Sequence, residues 1–354
     1  MSLKVGNLEL FMGPKQAGGP DDLEKVIVDF ISKATRRLDI AVQELDSRPI
    51  ADAIIAARQR KVTVRLVLEG DYLSSTRRRS DPYVAGGPHE PNREIHAAML
   101  RTAINVKSDY NPHIFHQKFI VRDNETVLTG STNFTQTGVS SNLNNVVIIQ
   151  DTDIAKIYGR EFREIMQGHF GNLNEGHDAK PPEKTVSGIP LKVLFAPDHA
   201  PEMEIMKQML KAKNRIDFAV FTFAESSGID DAMLSVAAGG IKIRGALDGL
   251  SSNSKWAATH GLAGKANIEL FNVRKQTTVN KLHHKLMVID ERVVIVGSFN
   301  YTGQANRLND ENIIVLGDLR DDVSQTSKNN QEKVGKFALD EIDRIVQQFG
   351  SAII

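Results

Sequence analysis

The chain of 354 residues is longer than one average domain, and its 41% hydrophobic content is enough for one or two buried cores. Lys plus Arg and Asp plus Glu both number 44, so no global field recruits a partner, and any polyanion must be met by a local patch. There are no cysteines, which excludes disulfides and thiolate metal sites, and no apolar run approaches the ~18 residues of a membrane span.

The N-terminal MSLKVGNLELFMGPK lacks a charged-then-apolar signal segment, so a soluble, cytoplasmic protein is expected. Short β-branched runs then alternate with helical ones. DDLEKVIVDFISKATRR and RPIADAIIAARQRK have helical spacing, while RRLDIAVQEL (36–45) and VTVRLVLEG (62–70) read as strands. That alternation implies an α/β sheet covered by helices. After the strand ending at Glu69 comes a loop, 71–94, with Arg77, Arg78 and Arg79 for phosphates and Tyr72 and Tyr83 for stacking on bases. HIFHQKFIVRDNETVLTGSTNFT (113–135) follows, in which His116 and Lys118 are two apart at the start of a strand and therefore project from one side. A helix is expected over DIAKIYGREFREIMQGHF, and then a surface linker, 171–190, rich in Gly, Pro and charge.

Beyond the linker the chain repeats itself. KLHHKLMVIDERVVIVGSFNYTG (281–303) has the same frame as the first motif: His283, Lys285, Asp290, Gly297, Ser298 and Asn300 answer His116, Lys118, Asp123, Gly130, Ser131 and Asn133. NRIDFAVFTF (214–223), IKIRGALDG (241–249) and KVLFAP (192–197) repeat RRLDIAVQEL, VTVRLVLEG and ELFMGP (9–14), and a helix is expected again over 333–349. The expected architecture is two pseudo-twofold-related halves, 1–170 and 191–354, each a mixed sheet flanked by helices, with the two H-x-K strands brought together.

Two copies of H-x-K-x4-D followed by G-S-x-N resemble the phospholipase D superfamily over nearly the whole chain. The resemblance implies cleavage of phosphodiesters without metal or cofactor, through a covalent phosphohistidine. The chemistry accounts for each residue type. A phosphodiester gains charge on its non-bridging oxygens, which Lys118, Lys285, Asn133 and Asn300 would stabilise. Two histidines on opposite sides of phosphorus suit in-line displacement, one as neutral nucleophile and one as imidazolium acid. Ser131 and Ser298 would hold the turn, and Asp123 and Asp290 would be structural. LNNVVII (143–149) aligns with DENIIVL (310–316), which sets Asn144 against Glu311. Similar family members use an acid here to orient the histidine of the opposite half. By that likeness Glu311 supports His116, the nucleophile, and Asn144 faces His283.

His113 and His284 are out of phase with the motif, and His89, His96, His169, His177, His199 and His260 read as ordinary loop or helix positions. A metal on His113, His116, His283 and His284 is disfavoured by the lysines among them. The repeat counterpart of the arginine loop, 250–265, offers Lys255 and the lone tryptophan, Trp256. These loops and the form of the G-S-x-N segments favour a weakly specific nuclease acting on DNA or RNA, active as a monomer because one chain holds both motifs. The alternative is a phospholipase D or phosphatidyl transferase, against which neither loop is strongly apolar. A catalytically idle nucleic-acid binding module is opposed by two intact motifs.

Overall fold

The computed structural model describes residues 2–74, 83–173 and 179–353. The first part of the chain forms β1 (Leu3–Val5), β2 (Leu8–Gly13), α1 (Leu23–Ser32), β3 (Arg37–Val42), α2 (Arg48–Gln59), β4 (Thr63–Glu69), α3 (Glu90–Arg101), β5 (Asn105–Asp109), β6 (Lys118–Arg122), β7 (Thr126–Gly130), α4 (Gln136–Ser140), β8 (Asn142–Gln150) and α5 (Thr152–Gln167). The second forms β9 (Lys184–Val186), β10 (Ile189–Ala196), α6 (Pro201–Met209), β11 (Arg215–Val220), α7 (Ile229–Ala238), β12 (Lys242–Asp248), α8 (Thr259–Leu262), β13 (Ile268–Val273), β14 (Lys281–Leu282), β15 (Lys285–Ile289), β16 (Val293–Gly297), α9 (Gly303–Arg307), β17 (Glu311–Leu316), α10 (Gln325–Phe349) and β18 (Gly350–Ile353).

The two sheets follow one plan. Their orders are β1-β2-β8-β7-β6-β3-β4-β5 and β9-β10-β17-β16-β15-β11-β12-β13-β18. In both, three parallel strands continue into an antiparallel run, and the register repeats: Val42 pairs with Lys118 in one and Val220 with Lys285 in the other. Part of the segment expected as linker is the hairpin β9–β10, turned at Ser187 and Gly188 with φ of 53° and 77°. Its turn meets the equivalent β1–β2 turn, where Asn7 N donates to Ser187 Oγ at 2.8 Å.

Strand parity divides the apolar residues among three clusters. Ile40, Leu66 and Ile120 face outward onto α1, α2 and α3, and Phe218, Ile243 and Met287 face outward onto α6 and α7. The opposite parity, including Phe119, Val121, Leu286 and Val288, faces a shared middle layer filled by α5 and α10. One continuous cluster there joins both sheets, which packs the halves as a single body. Among the described residues no helix is long and apolar enough to cross a membrane.

Candidate active site

Each motif enters its strand by crossing to the other half. His116 N donates to Asp310 O at 3.0 Å, immediately before β17, and His283 N donates to Leu143 O at 3.0 Å as β14 pairs in parallel with β8. These crossings bring Glu311 to His116 and Asn144 to His283. The His116 Nδ1 to Glu311 Oε2 distance is 2.7 Å, and His283 Nδ1 lies 2.9 Å from Asn144 Oδ1. Asn144 is oriented by its other bonds, since Nδ2 donates to Gly138 O and Oδ1 also accepts from Ser131 Oγ. In the equivalent place Ser298 Oγ donates to Glu311 Oε2 at 2.5 Å. With Nδ1 engaged on both rings, Nε2 is the nitrogen left for a substrate.

The glycine before each serine is demanded by geometry. Gly130 and Gly297 have φ of 147° and 152°, and a Cβ on them would stand 2.4 Å from Asn145 O and 2.1 Å from Asn312 O. Asn133 and Asn300 lie two residues beyond the serines, each with a buried, unpartnered Oδ1. Asp123 and Asp290 lie away from the histidines at the far ends of β6 and β15. Asp123 accepts from the backbone of Thr35, Arg36 and Arg37, and Asp290 from that of Lys213, Asn214 and Arg215. Each carboxylate thus fixes the loop entering β3 or β11.

Lys118 Nζ donates to His116 O at 2.7 Å, and Lys285 Nζ to His283 O at 2.8 Å. Burial is the leading cause of every titration shift in the pocket. It pushes both imidazoles well below their ordinary range, with the lysine ammoniums adding to the effect. It lowers Lys118 to about 7 and Lys285 well below its ordinary range, and it raises the Glu311 carboxyl to about 8. Burial thus penalises every charged form here, opposed on the Glu311 carboxylate by Lys118 and by the hydrogen bond from Ser298. An entering phosphodiester anion reverses this for the cations, because an opposite charge a few ångströms away favours the protonated ammonium and imidazolium.

Several neighbours escaped the reading of the motifs. Lys118 also donates to Gln43 Oε1 at 3.1 Å, and Gln43 Nε2 donates to the Tyr72 hydroxyl at 3.0 Å. In the second half the matching position is Phe221, whose ring lies 5.1 Å from both Lys285 Nζ and Lys281 Nζ and 5.2 Å from His283. The signal was present: Gln43 and Phe221 occupy one column of the repeat RRLDIAVQEL and NRIDFAVFTF. Gln117 and His284 have the parity of the core and turn to the middle layer. Asn312 Nδ2 donates to Gln117 Oε1, and the His284 ring bonds Asn145 and Glu341. His113 stays half-buried on the lead-in segment.

Arg77, Arg78 and Arg79 lie outside the described residues. Tyr72 is half-buried and packs edge-on against His89, while Tyr83 is exposed. Lys255 is exposed, and Trp256, 48% exposed, lines a 680 Å³ cleft with Thr222, Thr302 and Arg307 beside the second motif. Among the described residues no three His, Asp or Glu side chains are placed to hold a metal ion.

A family model described as "Cardiolipin synthase, PLD-like domain" matches residues 27–166 and 205–332. The mitochondrial cardiolipin hydrolase of Xenopus laevis is 32% identical over 135 residues, 38% of this chain and 56% of that protein. A phospholipase D of Rickettsia conorii is 31% identical over 139 residues, 39% of this chain and 62% of its own. The chain therefore spans less than two thirds of these relatives. In fold, the whole chain superposes on 88% of the phosphatidylserine synthase of Haemophilus influenzae Rd KW20, with a TM-score of 0.68 at 12% identity.

Proposed function

The chain belongs to the phospholipase D-like family, and from that premise we propose that this phosphodiesterase acts on phospholipid head-group diesters through a phosphohistidine on His116. His116 Nε2 attacks phosphorus while the bond to the leaving oxygen breaks, and His283 as imidazolium gives that oxygen its proton. Neutral His283 then takes a proton from water, whose oxygen attacks phosphorus and frees His116. Lys118, Lys285, Asn133 and Asn300 surround the non-bridging oxygens. Glu311 holds the Nδ1 proton of His116 and stabilises the cationic adduct. Ser131 and Ser298 orient Asn144 and Glu311. Both halves of this site come from one chain.

The observation that carries the substrate class is an apolar rim. From 42% exposed at Ile114 to 84% at Leu250, large apolar side chains stand on the segments that lead into the site. Tyr110 directly follows β5, Ile114 is two residues before His116, and Leu250 stands two residues after the end of β12. Leu173 is tied into the same corner, since Leu173 N and Asn111 Nδ2 both donate to Phe170 O. Trp256 continues the rim on the second half. Each such side chain contributes about 1.5–3 kcal/mol when fully removed from water, which suits an acyl-chain surface. The loops read singly are not strongly apolar, which is why nucleic acid was the sequence's first expectation; the rim is assembled from separated segments. The names of the relatives, cardiolipin hydrolase and phospholipase D, support the same reading.

Parallel incubation with cardiolipin or phosphatidylcholine vesicles, plasmid, single-stranded DNA and RNA tests it. Release of phosphatidic acid in excess EDTA is expected. Cleavage of nucleic acid alone would transfer the site to a nuclease, and activity that requires a divalent ion would overturn the metal-independent route.

A further inference from the structure

Two buried carboxylates outside the motifs stand at matching places. Glu69 is the last residue of β4 and 1% exposed; Asp248 is the last residue of β12 and 4% exposed. Glu69 Oε2 accepts from Phe115 N at 2.6 Å, and Asp248 Oδ2 accepts from Leu282 N at 3.0 Å. Phe115 and Leu282 are the residues immediately before His116 and His283. The second oxygen of each carboxylate turns to the loop that follows its own strand. Glu69 Oε1 accepts from Asp71 N at 3.0 Å, and Asp248 Oδ1 from Leu250 N at 3.1 Å. Those loops reach the site through Tyr72, bonded to Gln43, and through Trp256, beside the second motif.

A buried N–H needs an acceptor, and that need alone accounts for one bond on each side. It does not account for the same double attachment, loop on one oxygen and histidine lead-in on the other, recurring in both halves with different residue types. The lead-in is otherwise held by the opposite half, through His116 N on Asp310 O and His283 N on Leu143 O. Each histidine backbone is thus clamped between a carboxylate of its own half and a carbonyl of the other. In-line displacement tolerates little error here, since a misplacement of about 1 Å costs on the order of a hundredfold.

We propose that Glu69 and Asp248 are positioning residues that couple each substrate-side loop to the histidine beside it, Glu69 setting the attack by His116 and Asp248 the proton transfers of His283. The proposal rests on the histidine roles given above. Glu69→Gln and Asp248→Asn keep the shape but leave one acceptor oxygen, turning an NH2 toward the other N–H. With an activated nitrophenyl diester, which needs no leaving-group acid, single-turnover nitrophenolate release reports His116 and decay of the adduct after a chase reports His283. Glu69→Gln should slow release about tenfold or more with the decay little changed. Asp248→Asn should leave release within about twofold and slow the decay about tenfold. Glu69→Asp, with both oxygens retained, should recover part of the release rate.

Imidazole signals of 15N-histidine protein give a readout independent of turnover: Glu69→Gln should move those of His116, and Asp248→Asn those of His283. If both variants slow both steps alike, or move neither pair of signals while remaining folded, the carboxylates are structural and the proposal fails. If wild type forms no adduct, the phosphohistidine mechanism fails instead, and the imidazole signals still decide the positioning.

Discussion

The two halves share a backbone plan and differ where a side chain meets a histidine. His116 faces the Glu311 carboxylate, and its lysine is held by Gln43; His283 faces the Asn144 amide, and its lysine lies near the Phe221 ring. A carboxylate makes its imidazole a better nucleophile and stabilises the positive charge formed on phosphorylation, whereas an amide orients the ring without that charge. In the proposed mechanism duplication supplies two in-line groups, and the difference between Glu311 and Asn144 distinguishes their tasks.

The largest effect tests the first half. His116→Ala should abolish nitrophenolate release even from the activated diester, a loss on the order of a thousandfold or more, because no nucleophile remains. His283→Ala should lower phospholipid cleavage on the order of a hundredfold as a lost general acid. With the activated diester it should accumulate an adduct on His116, seen by intact mass after alkaline quench. An adduct on His283 in the His116→Ala protein would exchange the two roles.

Smaller changes blur or sharpen the asymmetry. Glu311→Gln makes both partners amides and should cost about 10- to 100-fold in kcat. Asn144→Asp makes both carboxylates. The new charge favours the His283 imidazolium and raises its pKa, so the basic limb of the kcat profile should move to higher pH; an unmoved limb would remove His283 as the acid. The smallest effect concerns the sheet borders, where Lys192 of β10 takes the repeat position of Glu9 in β2. Glu204 on α6 is drawn upward by burial, but hydrogen bonds from Lys192, Lys180 and Gln208 outweigh this and hold it at about 2 against an ordinary 4.5. That depressed value gives stability present above about 4.5 and lost as pH falls toward 2. Glu204→Gln should therefore cost about 2 kcal/mol in denaturant melts at pH 7 and much less at pH 3. Glu9→Gln, which removes the exposed Lys4–Glu9 pair, should cost below about 1 kcal/mol.

Much was legible before any fold. The constant spacing between two H-x-K frames implies two related halves, and strand parity alone places His116 with Lys118 and turns His284 to the other face. Even the pairing of Glu311 against Asn144 could be read from the aligned columns. Lys281 carries no such local signature, and although Gln43, Glu69 and Asp248 stand in aligned columns of the repeat, their partners lie on other elements and could not be read there. The apolar rim was hidden for the same reason: Tyr110, Leu173 and Leu250 are unremarkable singly and come from segments far apart in the chain.

Sequence by itself thus determined the duplication, the strand periodicity and the residue types of the chemistry, since these depend on local geometry with periods of two and 3.6. Tertiary structure decided which oxygen stands beside which ring. The contact between His116 and Glu311 joins positions 195 residues apart, and it exists only because α5 and α10 bury one apolar layer between two sheets while the Phe115–Asp310 bridge and the pairing of β14 with β8 cross between the halves.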